Sequence, residues 1–142
     1  MRRGLTLIGI MIFIAVISLI AAVSISKFLH DRISTNESVA QEALKTIAVA
    51  LEKYAQDHNG LYAESEAKLL PRSIGGEAEV PYFNKSYCGK TENGYTFSCN
   101  LKGTGYTLTA RPQNCTTAGT KSFTVTTGGV FSQDANCTVS GG

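Results

Sequence analysis

The chain is short of charge where charge would matter most. Between Gly4 and Ser26 it has no charged side chain at all, and over its 142 residues only 17% are charged, against the usual quarter. The imbalance between 13 basic and 11 acidic groups leaves a net +2, too little for an electrostatic nucleic-acid surface. Neither Pro nor Gly occurs from Lys27 to His58, so nothing there breaks a helix. There are only two histidines, His30 and His58. On one continuous helix they stand about 42 Å apart and share no site. Neither has a Cys or Ser nearby in a nucleophile-and-base arrangement. Asp31 and Asp57 are equally separated, and the pairs Glu64/Glu66 and Glu77/Glu79 read as solvated loop carboxylates. The turn Ser132-Gln133-Asp134-Ala135-Asn136 lacks the several carboxylates of a calcium loop. Catalytic residues, cofactor and metal are therefore all expected to be absent, and no internal repeat is evident. An ordinary enzyme with one evenly distributed core is excluded.

What is present is a segregated pattern. Leu5 to Ile25 is a 21-residue apolar run, interrupted only by Thr, Ser and Gly9, with Phe13 at its middle. As a helix it spans about 31 Å, close to the ~30 Å hydrocarbon core of a bilayer. Arg2 and Arg3 precede it, which predicts a cytoplasmic N-terminus and an exported remainder. A signal peptide has a shorter apolar core, of ~7–15 residues. The remaining choices are a plain membrane anchor and a leader cleaved before the run.

From Lys27 to His58 the small and apolar residues Ala40, Ala43, Leu44, Ile47, Ala48, Leu51, Tyr54 and Ala55 recur at three-and-four spacing, the mark of one buried helical stripe. Glu37, Gln41, Glu42, Lys45, Glu52, Lys53 and Gln56 fall mostly off it. Asn59-Gly60 is a helix stop. A helix from Leu5 to His58 would be about 80 Å long. Its first half must then lie in a membrane or among copies of itself, and its second half must support a sheet. Residues 59–93 carry little pattern beyond a helical turn at Glu66–Leu70 stopped by Pro71, and a Gly75-Gly76 loop.

From Tyr95 the period changes to two. Tyr95, Phe97 and Cys99 alternate with polar residues, as do Tyr106, Leu108 and Ala110, and then Phe123 and Val125. Val130-Phe131 suggests a short fourth strand. Residues 102–105 and 127–129 are turns. The predicted fold is α+β: a long N-terminal helix, apolar and protruding in its first half, packed in its second half on an antiparallel sheet of three or four strands. The segments are a leader at 1–4, a transmembrane or filament-core helix at 5–26, and an exported head at 27–142. Within the head, the helix runs to about 58, a connection to 93, and the sheet and tail from 94 to 142.

All four cysteines, Cys88, Cys99, Cys115 and Cys137, fall in the exported part, which indicates two disulfides. Three pairings exist. Cys88–Cys99, around Asn93-Gly94, with Cys115–Cys137 tying back the tail, is the favoured one, each bridge contributing ~2–4 kcal/mol. The gaps are too wide for a zinc ribbon. Triplets of the form Asn-x-Ser/Thr at Asn36, Asn84, Asn114 and Asn136 are read as composition, and the six tyrosines as packing residues.

Arg3-Gly4-Leu5-Thr6-Leu7-Ile8 resembles the start of type IV pilins and of the pseudopilins of type II secretion, with their short basic leader ending in Gly. Ser26-Lys27-Phe28 keeps the Phe common near the end of that family's apolar run, without its Pro. Asp57-His58-Asn59-Gly60-Leu61-Tyr62 is similar to the family's turn closing the long helix. Gly105-Tyr106-Thr107-Leu108-Thr109-Ala110-Arg111-Pro112 looks like a central strand of its heads. The resemblance implies cleavage between Gly4 and Leu5 by a membrane prepilin peptidase and N-methylation of Leu5. It also implies a filament core built from the helix that holds Thr6, Leu7, Ile8, Gly9, Phe13 and Phe28. The implied partners are the inner membrane, an assembly platform, and further copies or related pilins; the implied destination is an extracellular or periplasmic filament. Gly9 stands where the family has a Glu thought to pair with a neighbour's N-terminal amine. The four cysteines and the missing calcium loop favour a pilin over a pseudopilin. A single-pass binding protein that never polymerises is the alternative.

Overall fold

A computed structural model describes the backbone of residues 2–137 and the side chains of residues 6–137. Helix α1 runs from Arg2 to Asp57. Two 3-10 turns follow, Glu66–Lys68 and Arg72–Ile74. Five strands complete the chain: β1 (Thr91–Glu92), β2 (Tyr95–Lys102), β3 (Gly105–Pro112), β4 (Ser122–Thr126) and β5 (Val130–Asp134). They form an antiparallel sheet in sequential order.

The chain divides into two compact units between Arg32 and Ile33, six residues beyond the expected boundary at Ser26–Lys27. The apolar run ends at Ile25, but residues 27–32 are still exposed and burial begins only at Ile33. The sequence marks a change of solvent, and the fold marks the first tertiary contact. In the first unit the side chains of residues 6–32 are all exposed.

The second unit has its own core. Ala40, Ala43, Leu44, Ile47, Ala48 and Leu51 of α1 pack with Tyr95, Phe97, Tyr106, Leu108, Ala110, Phe123 and Val125 of β2, β3 and β4. Each large apolar side chain so buried is worth about 1.5–3 kcal/mol. The register pairs Phe97 with Ala110 and Leu108 with Val125, which keeps the apolar set on one face. Alternation continues in β4, except that Ser122 is buried as well.

One expectation needs correction. The sheet has five strands rather than three or four. Beyond β5, a two-residue β1 pairs Glu92 with Tyr95 and Thr91 with Thr96. Two residues are too few to display an alternation. The signal lies instead in Asn93-Gly94, both left-handed (φ 48° and 76°), the pair a tight hairpin turn demands. The 59–93 connection is also less featureless than its sequence. Ala63, Leu69, Leu70 and Phe83 are buried in the core. Ala78 N–H donates to Leu70 C=O (3.0 Å) and Tyr82 N–H to Leu69 C=O (2.9 Å). The helix ends where expected: Gly60 N–H donates back to Ala55 C=O at 2.7 Å.

Candidate membrane and assembly segment

In the first unit one helical stretch is long and apolar enough to cross a membrane, with mean hydropathy 2.9 over its best window and none of that window buried. The expected core residues lie along it. Leu7 is 66% exposed, Phe13 66% and Phe28 55%, and Ile8 is equally open. Two of its serines are satisfied internally: Ser18 Oγ donates to Ile14 C=O (2.7 Å) and Ser24 Oγ to Ile20 C=O (2.8 Å). Neither Ser18 nor Ser24 therefore offers an unsatisfied hydroxyl to a hydrocarbon phase. Arg32 lies over the Phe28 ring at 4.3 Å, a cation–π contact at the polar end of the unit. A Cβ at Gly9 would meet nothing within 4 Å, so no packing within this chain requires a glycine there. The cleavage and methylation positions, Gly4 and Leu5, lie outside the residues whose side chains are described.

In the second unit Cys88 is bonded to Cys99 and Cys115 to Cys137, so all four cysteines are paired. Three carboxylates organise the head's loops. Glu52 Oε1 accepts from Tyr106 O–H (2.8 Å) and Gly128 N–H (2.8 Å), while Oε2 accepts from Tyr62 O–H (3.0 Å). The Tyr106 hydroxyl in turn accepts from Gly129 N–H (3.1 Å). One glutamate thus ties α1 to the strand β3, to the 127–129 turn and to the start of the connection. Burial, then the hydrogen bond to Glu52, raises the Tyr106 and Tyr62 hydroxyls above the ordinary 10.0.

Glu66 accepts from Tyr87 N–H (2.6 Å), Cys88 N–H (3.1 Å) and Ser86 O–H (2.8 Å), seating the first disulfide. Glu37 accepts from Thr120 N–H and O–H, both at 2.8 Å, beside Asn36 Nδ2 donating to Ala118 C=O at 3.0 Å. Together they clip the 114–121 loop to α1. Tyr95, fully buried, donates to Lys121 C=O at 2.8 Å; burial and the nearby Glu37 charge push its hydroxyl up to about 12.

By pattern alone Glu52 falls off the stripe and Glu66 reads as a solvated loop carboxylate, yet each accepts three hydrogen bonds. The available signal for Glu52 was its position beside Leu51, with two tyrosines elsewhere needing partners. His30 stays exposed and His58 stacks on Tyr54 at 3.8 Å. Among the described residues, no group of three or more His, Cys, Asp or Glu is placed to hold a metal. The chain matches no family model, no curated protein and no solved structure.

Proposed function

We propose that this chain is a structural subunit of a type IV pilus-like filament, held in a bacterial inner membrane before assembly and polymerised through its N-terminal helix. The observation that carries the reading is the uncovered apolar surface of residues 6–25, on the same helix whose later turns anchor a disulfide-tied head. Such a surface requires either lipid or other copies of itself. The likeness of residues 3–8 to the pilin leader junction favours a subunit that uses both in succession. A helix-to-helix contact of this kind is heterologous and does not close, so it yields a helical polymer. The head forms the outer shell, and the work of the protein is assembly rather than catalysis.

Mass spectrometry of the membrane-extracted protein and of sheared cell-surface material tests this. The expected result is a mature chain beginning at a methylated Leu5, present in both fractions. A chain beginning at Met1 and confined to the membrane would establish the anchored, non-polymerising alternative. Cleavage after Ala22 would remove the helix and the filament with it.

A further inference from the structure

The head carries an apolar groove on one flank of α1 and, on the other, an exposed segment that presents one large apolar side chain between carboxylates, here called the knob. The groove, about 540 Å³, lies between the helix and β5, lined by Ala48 and Val49 of α1 and by Val125 and Phe131 of the sheet, with Lys45 and Lys53 at its rim. Val49 is 66% exposed. Lys45 leans over the Phe131 ring, 5.5 Å from its centre, and Lys53 is exposed. Glu52 also borders the groove, but its carboxylate is taken by Tyr62, Tyr106 and Gly128.

The knob is Glu77–Pro81. Val80 is 80% exposed, held between the exposed Glu79 and Pro81, with Glu77 also in solvent. Among the described residues Glu79 pairs with Arg72 at 4.0 Å, with the two side chains 86% and 73% exposed; such a pair exchanges readily. The base of the knob is fixed by Ala78 N–H to Leu70 C=O.

The two features cannot satisfy one another within one chain. The knob shares its depression with Tyr54 and His58, whereas the groove uses Val49. Five residues at ~100° each put Tyr54 and Val49 about 140° apart around the helix.

We infer that the knob of one copy seats in the groove of another, Val80 against Val49, Val125 and Phe131, with Glu77 and Glu79 facing Lys45 and Lys53. The signs are complementary, which orients the approach and excludes groove-to-groove pairing. Each copy has one knob and one groove on different flanks, so the contact runs head-to-tail. Five residues cover far less than the ~800 Å² per partner of a stable complex. The contact therefore forms among copies concentrated by a membrane or a polymer, as a second attachment beside the helix. It rests on the filament reading only in requiring that copies meet.

The test uses the full chain in host membranes. Tagged and untagged wild-type copies are co-expressed and treated with a carbodiimide, which joins an amine to a carboxylate with loss of water. Amides linking Lys45 or Lys53 of one copy to Glu77 or Glu79 of the other are expected. Their absence, where other links form, overturns the contact. Next, Val49→Cys/Val80→Cys should give a ladder of species beyond the dimer on non-reducing gels. Lys45→Glu/Lys53→Glu should weaken that ladder about tenfold, and adding Glu77→Lys/Glu79→Lys should restore it. A ladder indifferent to the reversal overturns the proposal. Should a variant misfold, by mapping of the two native disulfides, the wild-type cross-link decides alone. Sheared filaments without the contact sink this inference and leave the filament reading intact. The contact without filaments does the reverse.

Discussion

At the scale of single residues, the head depends on polar groups that composition treats as surface. Glu52 is the sharpest case. Replacing it by Ala strands the Tyr62 and Tyr106 hydroxyls and the Gly128 amide together. Each of the two hydroxyls so stranded costs about 1–3 kcal/mol, the exposed Gly128 amide turns to water instead, and solvent relieves part of the cost at this half-buried position. We expect Glu52→Ala to lower the head's unfolding free energy by about 2–4 kcal/mol and Glu52→Gln by about half as much, read by urea titration. A loss below about 0.5 kcal/mol for Glu52→Ala would mean water replaces the carboxylate freely.

Gly119 is constrained differently: a Cβ there would run into the Tyr95 hydroxyl, which donates to Lys121 C=O. Gly119→Ala should cost about 1–3 kcal/mol by overpacking, and Tyr95→Phe, which removes the hydroxyl but leaves ring carbons within 3 Å of the new Cβ, should relieve only part of it in the double variant. Tyr95 also sets an alkaline limit. Its hydroxyl is held up to about 12, against 10.0 when unfolded. Between those values the unfolded chain has lost the proton that the folded one keeps, so rising pH favours unfolding. Stability should be flat with respect to this group below about pH 10 and fall from there to pH 12. Denaturation measured across that range checks it, with Tyr95→Phe expected to make the decline shallower and the remainder left to Tyr106, Tyr62 and Tyr82, whose hydroxyls are also raised.

At the scale of elements, legibility followed periodicity. The α1 stripe and the alternation in β2, β3 and β4 were readable because each repeats often enough to fix a face. Strand β1 was not, because two residues cannot alternate, although the Asn93-Gly94 turn that makes it was visible. The 59–93 connection was opaque for another reason. Its order comes from isolated anchors, Leu69 and Phe83 in the core and Glu66 on the 86–88 backbone, and none of these has a period. The two disulfides reinforce different elements. Cys88–Cys99 spans 11 residues and Cys115–Cys137 spans 22. Loop-closure entropy makes either bridge worth about 3 kcal/mol, the longer by about 0.6 kcal/mol more. The longer bridge also holds the loop that Asn36 and Glu37 clip to α1. Cys115→Ala/Cys137→Ala should therefore raise hydrogen exchange in β4, β5 and residues 114–121 while β2 and β3 stay protected. Uniform loss of protection would show instead that the bridge stabilises the head only globally.

At the scale of the whole molecule, the sequence separates two solvents, one for residues 5–25 and one for the head, and Gly9 bears on the first alone. On the filament reading, the Leu5 ammonium enters an apolar core lacking the carboxylate that resembling proteins supply, and an unpaired buried charge costs several kcal/mol. Gly9→Glu would provide that partner. Nothing in the chain obstructs it, since a Cβ there meets no atom within 4 Å, and replacing Gly also improves helix propensity by about 0.5–1 kcal/mol. Against this stands the cost of placing a carboxylate in lipid, about 2.5–3.5 kcal/mol at a bilayer centre. Position 9 is near the end of the run, away from the bilayer centre to which that cost applies. The pairing then outweighs the insertion penalty. Gly9→Glu should raise the subunit's share of sheared filaments relative to its share of the membrane. Gly9→Ala, which gains propensity but no carboxylate, should leave that ratio unchanged. If both variants raise it equally, helix stiffness rather than charge limits assembly. If Gly9→Glu lowers it, the Leu5 amine already has another way to lose or share its proton, since desolvation by itself lowers an amine's pKa.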